Sequence, residues 1–205
     1  MVRSCLHLRG GAFRALASLL LFVVATGLGA QGVSPTAKAP NGWFLAGSNP
    51  SNYRTGVDGA AMRAGLPSAY LRSIANGNGF GTLMQSIGAA NYAGKRVRLR
   101  GWVKSENVDD WAGLWMRVDK GQELVAFDNM QDRAIRGAQT WSSYDVVLDV
   151  PGDATSIHFG VLLTGAGQVW LNNVSLEVVD GSTPITGARP RATLPLRPVN
   201  LTFSE

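Results

Sequence analysis

The side chains best suited to chemistry in this chain stand at alternating positions within KRVRLRGWVKSENVDDWAGLWMRVDKGQELVAFDN, Lys95 to Asn129. In its first run Arg98, Arg100 and Trp102 share one parity with Lys104, while Val97, Leu99 and Val103 take the other. In its second run Trp115 and Arg117 share a parity with Asp119, opposite Leu114, Met116 and Val118. Successive side chains on a strand point to opposite faces, so each run presents an apolar inner set and an outer set of indoles and guanidinium groups. Indole faces stack on the C–H faces of rings, and guanidinium groups donate hydrogen bonds to hydroxyl oxygens. With Gln85 as an amide contact, Trp102, Trp115, Arg98, Arg100 and Arg117 form a candidate binding face. The competing reading has the tryptophans packed under loops or a neighbouring segment and the arginines solvated.

Other chemistries find less support. His158, flanked by Ile157 and Phe159, is the only histidine after residue 30, and the single cysteine, Cys5, precedes it in the amino-terminal segment. A Cys-His pair or a multi-histidine zinc site is thereby excluded, no G-x-S-x-G elbow marks a serine hydrolase, and His158 reads as structural. Asp109, Asp110, Asp119, Asp128 and Asp132 lack EF-hand spacing and read as solvated loop acids rather than calcium ligands. No pair of carboxylates stands out for glycoside hydrolysis. A non-catalytic protein is expected. Asn173-Val-Ser and Asn200-Leu-Thr match the glycosylation pattern, which matters only on a eukaryotic secretory route.

The elements that must position these residues are short strands. SENVDD between the two central runs is polar enough to be a connecting loop, so the runs are expected to pair antiparallel and to bring Trp102 and Trp115 onto one outer face. Around them, Tyr53 to Val57 and Ala69 to Ile74 read as strands, with NPSN before them as a turn. Asn76-Gly77-Asn78-Gly79 suits a tight reversal into a strand from Phe80 to Ile87. In that strand Gln85 shares parity with Leu83 and Ile87 and is either a buried, satisfied amide or a polar contact on a partly exposed face. Glu123 to Phe127, Ser142 to Val150, Ile157 to Leu163 and Gln168 to Val179 complete the set. Met130 and Ile135 anchor the polar loop after Phe127, and Asn172-Asn173 marks a bulge. Nine or ten short strands without a helical period predict an all-β fold, an antiparallel β-sandwich. The composition agrees: of 205 residues 45% are hydrophobic and only 16% charged, with 25 glycines and 9 prolines.

The ends differ from this body. Arg3, Arg9 and Arg14 precede an apolar run from Ala15 to Ala25 and then TGLGA, the pattern of a signal peptide over residues 1–30. The run is too short for the ~20 residues that cross a bilayer. Its removal lowers the formal charge of +5 by three, to about +2, which argues against nucleic acid as a partner. Secretion or a periplasmic location is expected, with no transmembrane segment in the mature chain. Residues 31–42 read as a flexible leader, 43–180 as the sandwich, 181–198 as a proline-rich linker and 199–205 as a terminal strand. That strand either docks on its own sandwich or a neighbouring copy, or is a frayed end.

FGTLMQSI (Phe80 to Ile87), YAGKRVRLRGWVK (Tyr92 to Lys104) and VWLNNVSLEVV (Val169 to Val179) together resemble the jelly-roll carbohydrate-binding modules of the galactose-binding-domain-like superfamily. The resemblance spans about Trp43 to Asp180. It implies a jelly roll that binds a polysaccharide or small polar ligand without catalysis. Two departures bear on the family's structural calcium: Asn172 and Asn173 stand where Asp is usual, and no N-L-x-F-E strand precedes Trp43, although Asn200 to Glu205 looks like one. No cofactor is therefore expected. The alternative function is a structural or protein-interaction domain of the cell envelope, with the Trp and Arg face meeting an envelope protein.

Overall fold

The computed structural model describes residues 38–75, 79–187, 197 and 201–202. Contacts part the chain after Gln31, and every described residue lies in the second unit. The reversal at Asn76-Gly77-Asn78, most of the linker from 181 to 198, the segments 1–30 and 31–37 and all of the terminal strand expected at 199–205 except Leu201 and Thr202, which are exposed and in a turn, fall outside the described residues. Among the described residues no helix is long and apolar enough to cross a membrane.

Among the described residues nine antiparallel strands build the fold: β1 (Phe44–Gly47), β2 (Tyr53–Arg63), β3 (Leu66–Ser73), β4 (Phe80–Gly88), β5 (Lys95–Lys120), β6 (Glu123–Asp128), β7 (Ile135–Val150), β8 (Ser156–Thr164) and β9 (Gln168–Val179). Hydrogen bonds link them into one sheet in the order β1-β4-β8-β5-β9-β3-β2, with β6 and β7 also on β5. This sheet closes on itself as two layers. In the first, the leading half of β5 lies between β7 and β9, which continues to β3 and β2. In the second, the trailing half of β5 lies between β6 and β8, which continues to β4 and β1.

The expected loop at SENVDD is a corner within a single 26-residue strand. Inward-facing residues run Val97, Leu99, Val103 and Ser105 before the corner and Val108, Ala112, Leu114, Met116 and Val118 after it, so the inner parity switches from odd to even. One extra residue must be absorbed for that switch. Asn107 takes a left-handed conformation with φ 52°, and the pairing with β7 shifts register around it. A bulge of this kind bends a strand and increases its twist, which carries β5 from one layer to the other. Both halves then bury their apolar residues in one core with Leu71, Leu83, Val146, Ile157, Phe159, Val161, Leu163 and Leu171. The polarity of SENVDD reflects exposure at the corner and not a reversal of the chain.

Other local signals hold. Met130 and Ile135 are buried as anchors. Asn173 is left-handed at φ 46°, with a register shift beside it between β5 and β9, as expected of a bulge. The neighbouring Asn172 is buried and donates from Nδ2 to the Leu66 and Pro67 carbonyls and to Ser68 Oγ, a role that an aspartate could not fill. One hairpin went unread: β2 runs on to Arg63 and reverses through Ala64 and Gly65, both at positive φ. Beyond β9 the chain stays on the sandwich as far as Gly187. Thr186 donates its backbone N–H to the Val147 carbonyl while its Oγ1 accepts from the Val147 N–H, and Ile185 packs against the core.

Candidate functional site

Because the two halves of β5 face each other across the core, their outer faces lie on opposite sides of the sandwich. Trp102 and Trp115 therefore do not share a face, and the expected pairing of their runs is corrected: the bulged corner replaces the hairpin that would have brought them together.

On the outer face of the first layer the sequence-predicted residues are occupied by one another. Arg100 grips Asp145 through Nε and Nη2, both at 2.7 Å, Arg98 Nη2 donates to Glu177 at 2.8 Å, and Arg96 donates to Asp149 through Nε at 2.7 Å. The Arg63 guanidinium lies 3.4 Å above the centroid of Trp102, so that indole face is already covered. Lys104 pairs with Glu106 and sits over Trp170, whose Nε1 donates to the buried Asp58 carboxylate at 2.8 Å. Burial would raise the Asp58 pKa, but hydrogen bonds from Trp170 and from the Ala60 and Ala61 amides, with the Lys104 charge, bring it below the usual carboxylate range.

The outer face of the second layer carries a groove of about 680 Å³. Its floor comes from Thr82 and Met84 on β4, Leu162 on β8 and Trp115 on β5. Gly160 stands opposite Met84 on one side and Trp115 on the other, so no side chain fills the space between them. Trp115 is only 8% exposed. Its Nε1 donates to Thr82 Oγ1 at 2.7 Å, and that hydroxyl donates to the Val161 carbonyl at 2.9 Å, which fixes the ring. The walls are more open: Phe80 is 38% exposed, and Leu124 and Phe127 on β6 are 48% and 43% exposed. Half-buried Trp111 closes one end beside Ala46 and Gly47. Gly47 has φ 131°, and a Cβ there would strike the Phe80 carbonyl, so β1 reaches this rim only as glycine.

Polar groups gather at the other end. Arg117 Nε donates to both oxygens of Asp119, at 2.7 and 2.9 Å. His158, opposite Arg117 in the ladder, places Nε2 3.3 Å from Asp119 Oδ2 and 3.1 Å from Ser156 Oγ, and Nδ1 2.7 Å from Ser86 Oγ. Asp119 is buried and not a solvated loop acid, and so is Asp128 beneath the β6 wall, where Arg133 donates to it at 2.6 Å. Burial alone would raise the Asp128 pKa. Hydrogen bonds from Arg133, Thr186 and the Met130 amide outweigh it, and the carboxyl sits below its ordinary range. Among the described residues no group of three or more His, Cys, Asp or Glu side chains is placed to hold a metal ion.

Of the predicted residues, then, the structure brings Trp115 and Arg117 into one groove and leaves Trp102, Arg98 and Arg100 on the far face. Gln85 belongs to neither. It faces inward at one end of the sandwich, half-buried, in a smaller cavity of about 330 Å³ with Trp43, Phe159 and Leu176. Phe80, Trp111, Leu124, Phe127, Asp119 and His158 were not read as site residues. Apolar residues left on the outer parity of β4 and β8, Met84 and Leu162, were the available signal.

No family model matches the chain. The uncharacterized HTH-type transcriptional regulator YbfP of Bacillus subtilis (strain 168) is 42% identical over 171 residues, covering 82% of this chain and 58% of that protein. The chain thus spans little more than half of that relative's length. Among solved structures, the CBM22-1 xylan-binding domain of Paenibacillus barcinonensis Xyn10C superposes with a TM-score of 0.50 at 14% identity, covering 71% of this chain and 92% of that domain. The enzymatically active domain of the bacteriophage CBA120 tailspike protein 4 does so with a TM-score of 0.51 at 19% identity, covering 68% of this chain but 20% of the tailspike chain. At these identities the likeness is one of fold: the chain shares the all-β, antiparallel sandwich of carbohydrate-binding modules.

Proposed function

We propose that this chain is a non-catalytic module that binds a carbohydrate in the groove over Trp115. The observation that carries this reading is the groove itself, about 680 Å³ with an apolar, partly aromatic lining and polar groups gathered at one end. Concave sites with few placed polar groups are the usual seats of small ligands. Exposed Phe80 and Phe127 offer ring faces for the C–H face of a sugar, while Asn129, Thr164, Arg117 and His158 offer partners for its hydroxyls. The predicted site on the face of Trp102 has less to offer, since Arg63 and four ion pairs already occupy it. Shallow sites of this kind bind at about micromolar to millimolar strength.

Affinity electrophoresis and a glycan array test the proposal. Phe127→Ala and Phe80→Ala should each weaken binding with the melting temperature kept, and Trp102→Ala should leave it unchanged. Glycan binding that survives both phenylalanine substitutions would refute the groove as the site.

The export expected for residues 1–30 is part of the same proposal, and amino-terminal sequencing of the protein recovered from the producing cell tests it. The likeness to YbfP favours a second reading, in which this sandwich serves as the ligand-sensing part of a longer regulator. The groove would then report the presence of its ligand rather than hold a polymer in place. An equal affinity for a monosaccharide and for the corresponding polymer would favour that reading.

A further inference from the structure

We infer that the polar end of the groove is a seat for a carboxylate, and that the preferred ligand carries a uronic acid residue whose carboxylate lies on Arg117. The inference rests on the groove being the binding site and adds the class of ligand. It comes from how Arg117 is held compared with the other ion-paired arginines. Arg100 and Arg96 engage their aspartates through Nε and Nη2 together, Arg98 its glutamate through Nη2, Arg136 its aspartate through Nη1, and Arg133 its aspartate through both terminal nitrogens. Arg117 alone among these engages its aspartate through Nε only. Nη1 and Nη2 have no partner among the described residues, which leaves a planar fork with four N–H donors.

Exposure decides what charge the groove presents. Arg117 and Asp119 are the charged residues of the lining, with His158 beside them. The Arg117 side chain is 40% exposed and that of Asp119 only 8%. Asp119 also has both oxygens turned to Arg117 Nε, and Oδ2 lies near His158 as well. A ligand therefore meets the guanidinium and not the carboxylate. A free guanidinium fork matches a two-oxygen carboxylate in the plane and gives paired, charge-assisted hydrogen bonds, which a hydroxyl cannot do. Phe127 and His158 flank Arg117 in the ladder, so a sugar ring whose carboxylate reached the fork would lie along the aromatic wall.

The test compares glycans that differ only in this charge. Galacturonan, glucuronoxylan and alginate oligosaccharides, each as the free acid and as its methyl ester, are titrated against the full chain, alongside neutral and sulfated oligosaccharides. At least one acid should bind about tenfold more tightly than its ester. Arg117→Met should abolish that preference by weakening the acid more than the ester, so that the two bind alike. Arg117→Lys, which retains the charge near Asp119 without the fork, guards against a folding defect and should reduce the preference. If every acid binds no better than its ester, if Arg117→Met keeps the preference, or if sulfated glycans are favoured over carboxylated ones, the inference is overturned. Binding of neutral glycans alone would overturn it while leaving the groove as a carbohydrate site, whereas binding of no glycan at all would remove both.

Discussion

The two outer faces of the sandwich are built from the same residue types and put them to opposite uses. On the first layer, guanidinium groups find carboxylates across neighbouring strands, and the indole of Trp102 lies under Arg63, so the face is closed by its own side chains. On the second, Met84, Leu162 and Trp115 form an apolar floor, and Phe80, Leu124 and Phe127 rise from it without covering it. A tryptophan or an arginine on an outward parity is thus no sign of a binding face by itself. What matters is whether the neighbouring strands supply its partners.

The largest expected contrast between the faces is in stability. Trp115→Ala should cost about 3–5 kcal/mol, as for other large aromatics removed from a packed site. Trp102→Ala, losing mainly a stack with Arg63, should cost about 1 kcal/mol. Urea denaturation of the two variants checks this, and equal costs would mean that the second face is not organised around its tryptophan. Thr82→Val should cost about 1–3 kcal/mol, because it leaves the buried Trp115 Nε1–H without its acceptor. Its near-isosteric shape makes the loss of that hydroxyl's two hydrogen bonds, from Trp115 Nε1 and to the Val161 carbonyl, the only large change. Phe127→Ala comes next, with a fall in ligand affinity of about tenfold and a melting temperature within a degree or two of the parent, since the ring is half exposed.

A fourth expectation concerns acid. Asp128 has its pKa lowered by Arg133 and Thr186, so its contribution to stability is present above the unfolded-state value of about 3.9 and is lost as pH falls through the lower folded value. Asp128→Asn should therefore flatten the acid limb of the stability profile below about pH 4. A profile parallel to that of the parent would show that the carboxylate is not held in this way.

Much of the layer structure was legible because alternation fixes faces. The inward sets at Val97, Leu99 and Val103, at Ile157 to Leu163, and at Val146 to Val150 are those found buried. The corner in β5 was the decisive misreading, although its sign was present: the apolar parity changes from odd to even across SENVDD, and a single bulge absorbs that change as readily as a turn. A polar hexapeptide carries no record of which occurred, since a corner and a loop are both exposed. The same ambiguity hid the groove. Trp111 stood next to a supposed loop, and Leu124 and Phe127 lay in a short strand with no face assigned to them, because composition does not tell which outward apolar residues will be covered. Asp119 and Asp128 looked like solvated acids for a related reason, as their partners lie close in the chain along bent backbone, Arg117 two residues before Asp119 and Arg133 five residues after Asp128.

The smallest expected effect is also the sharpest comparison, because it sets one ion pair on each face side by side. Arg100 with Asp145 and Arg117 with Asp119 are both arginine–aspartate pairs at 2.7 Å, and the two arginines are nearly equally exposed at 41% and 40%. The aspartates differ, at 31% and 8%. A pair in contact with water is weakened by the high dielectric and by salt, so the double-mutant cycle for Arg100 and Asp145 should give a coupling of about 0.2–1 kcal/mol that falls further in 1 M salt. Asp119 keeps little water to replace a lost partner, and its cycle with Arg117 should give a coupling larger by about 1 kcal/mol and less sensitive to salt. Equal couplings with equal salt dependence would mean that Asp119 is as well solvated as Asp145, and that the groove presents its carboxylate as openly as its guanidinium.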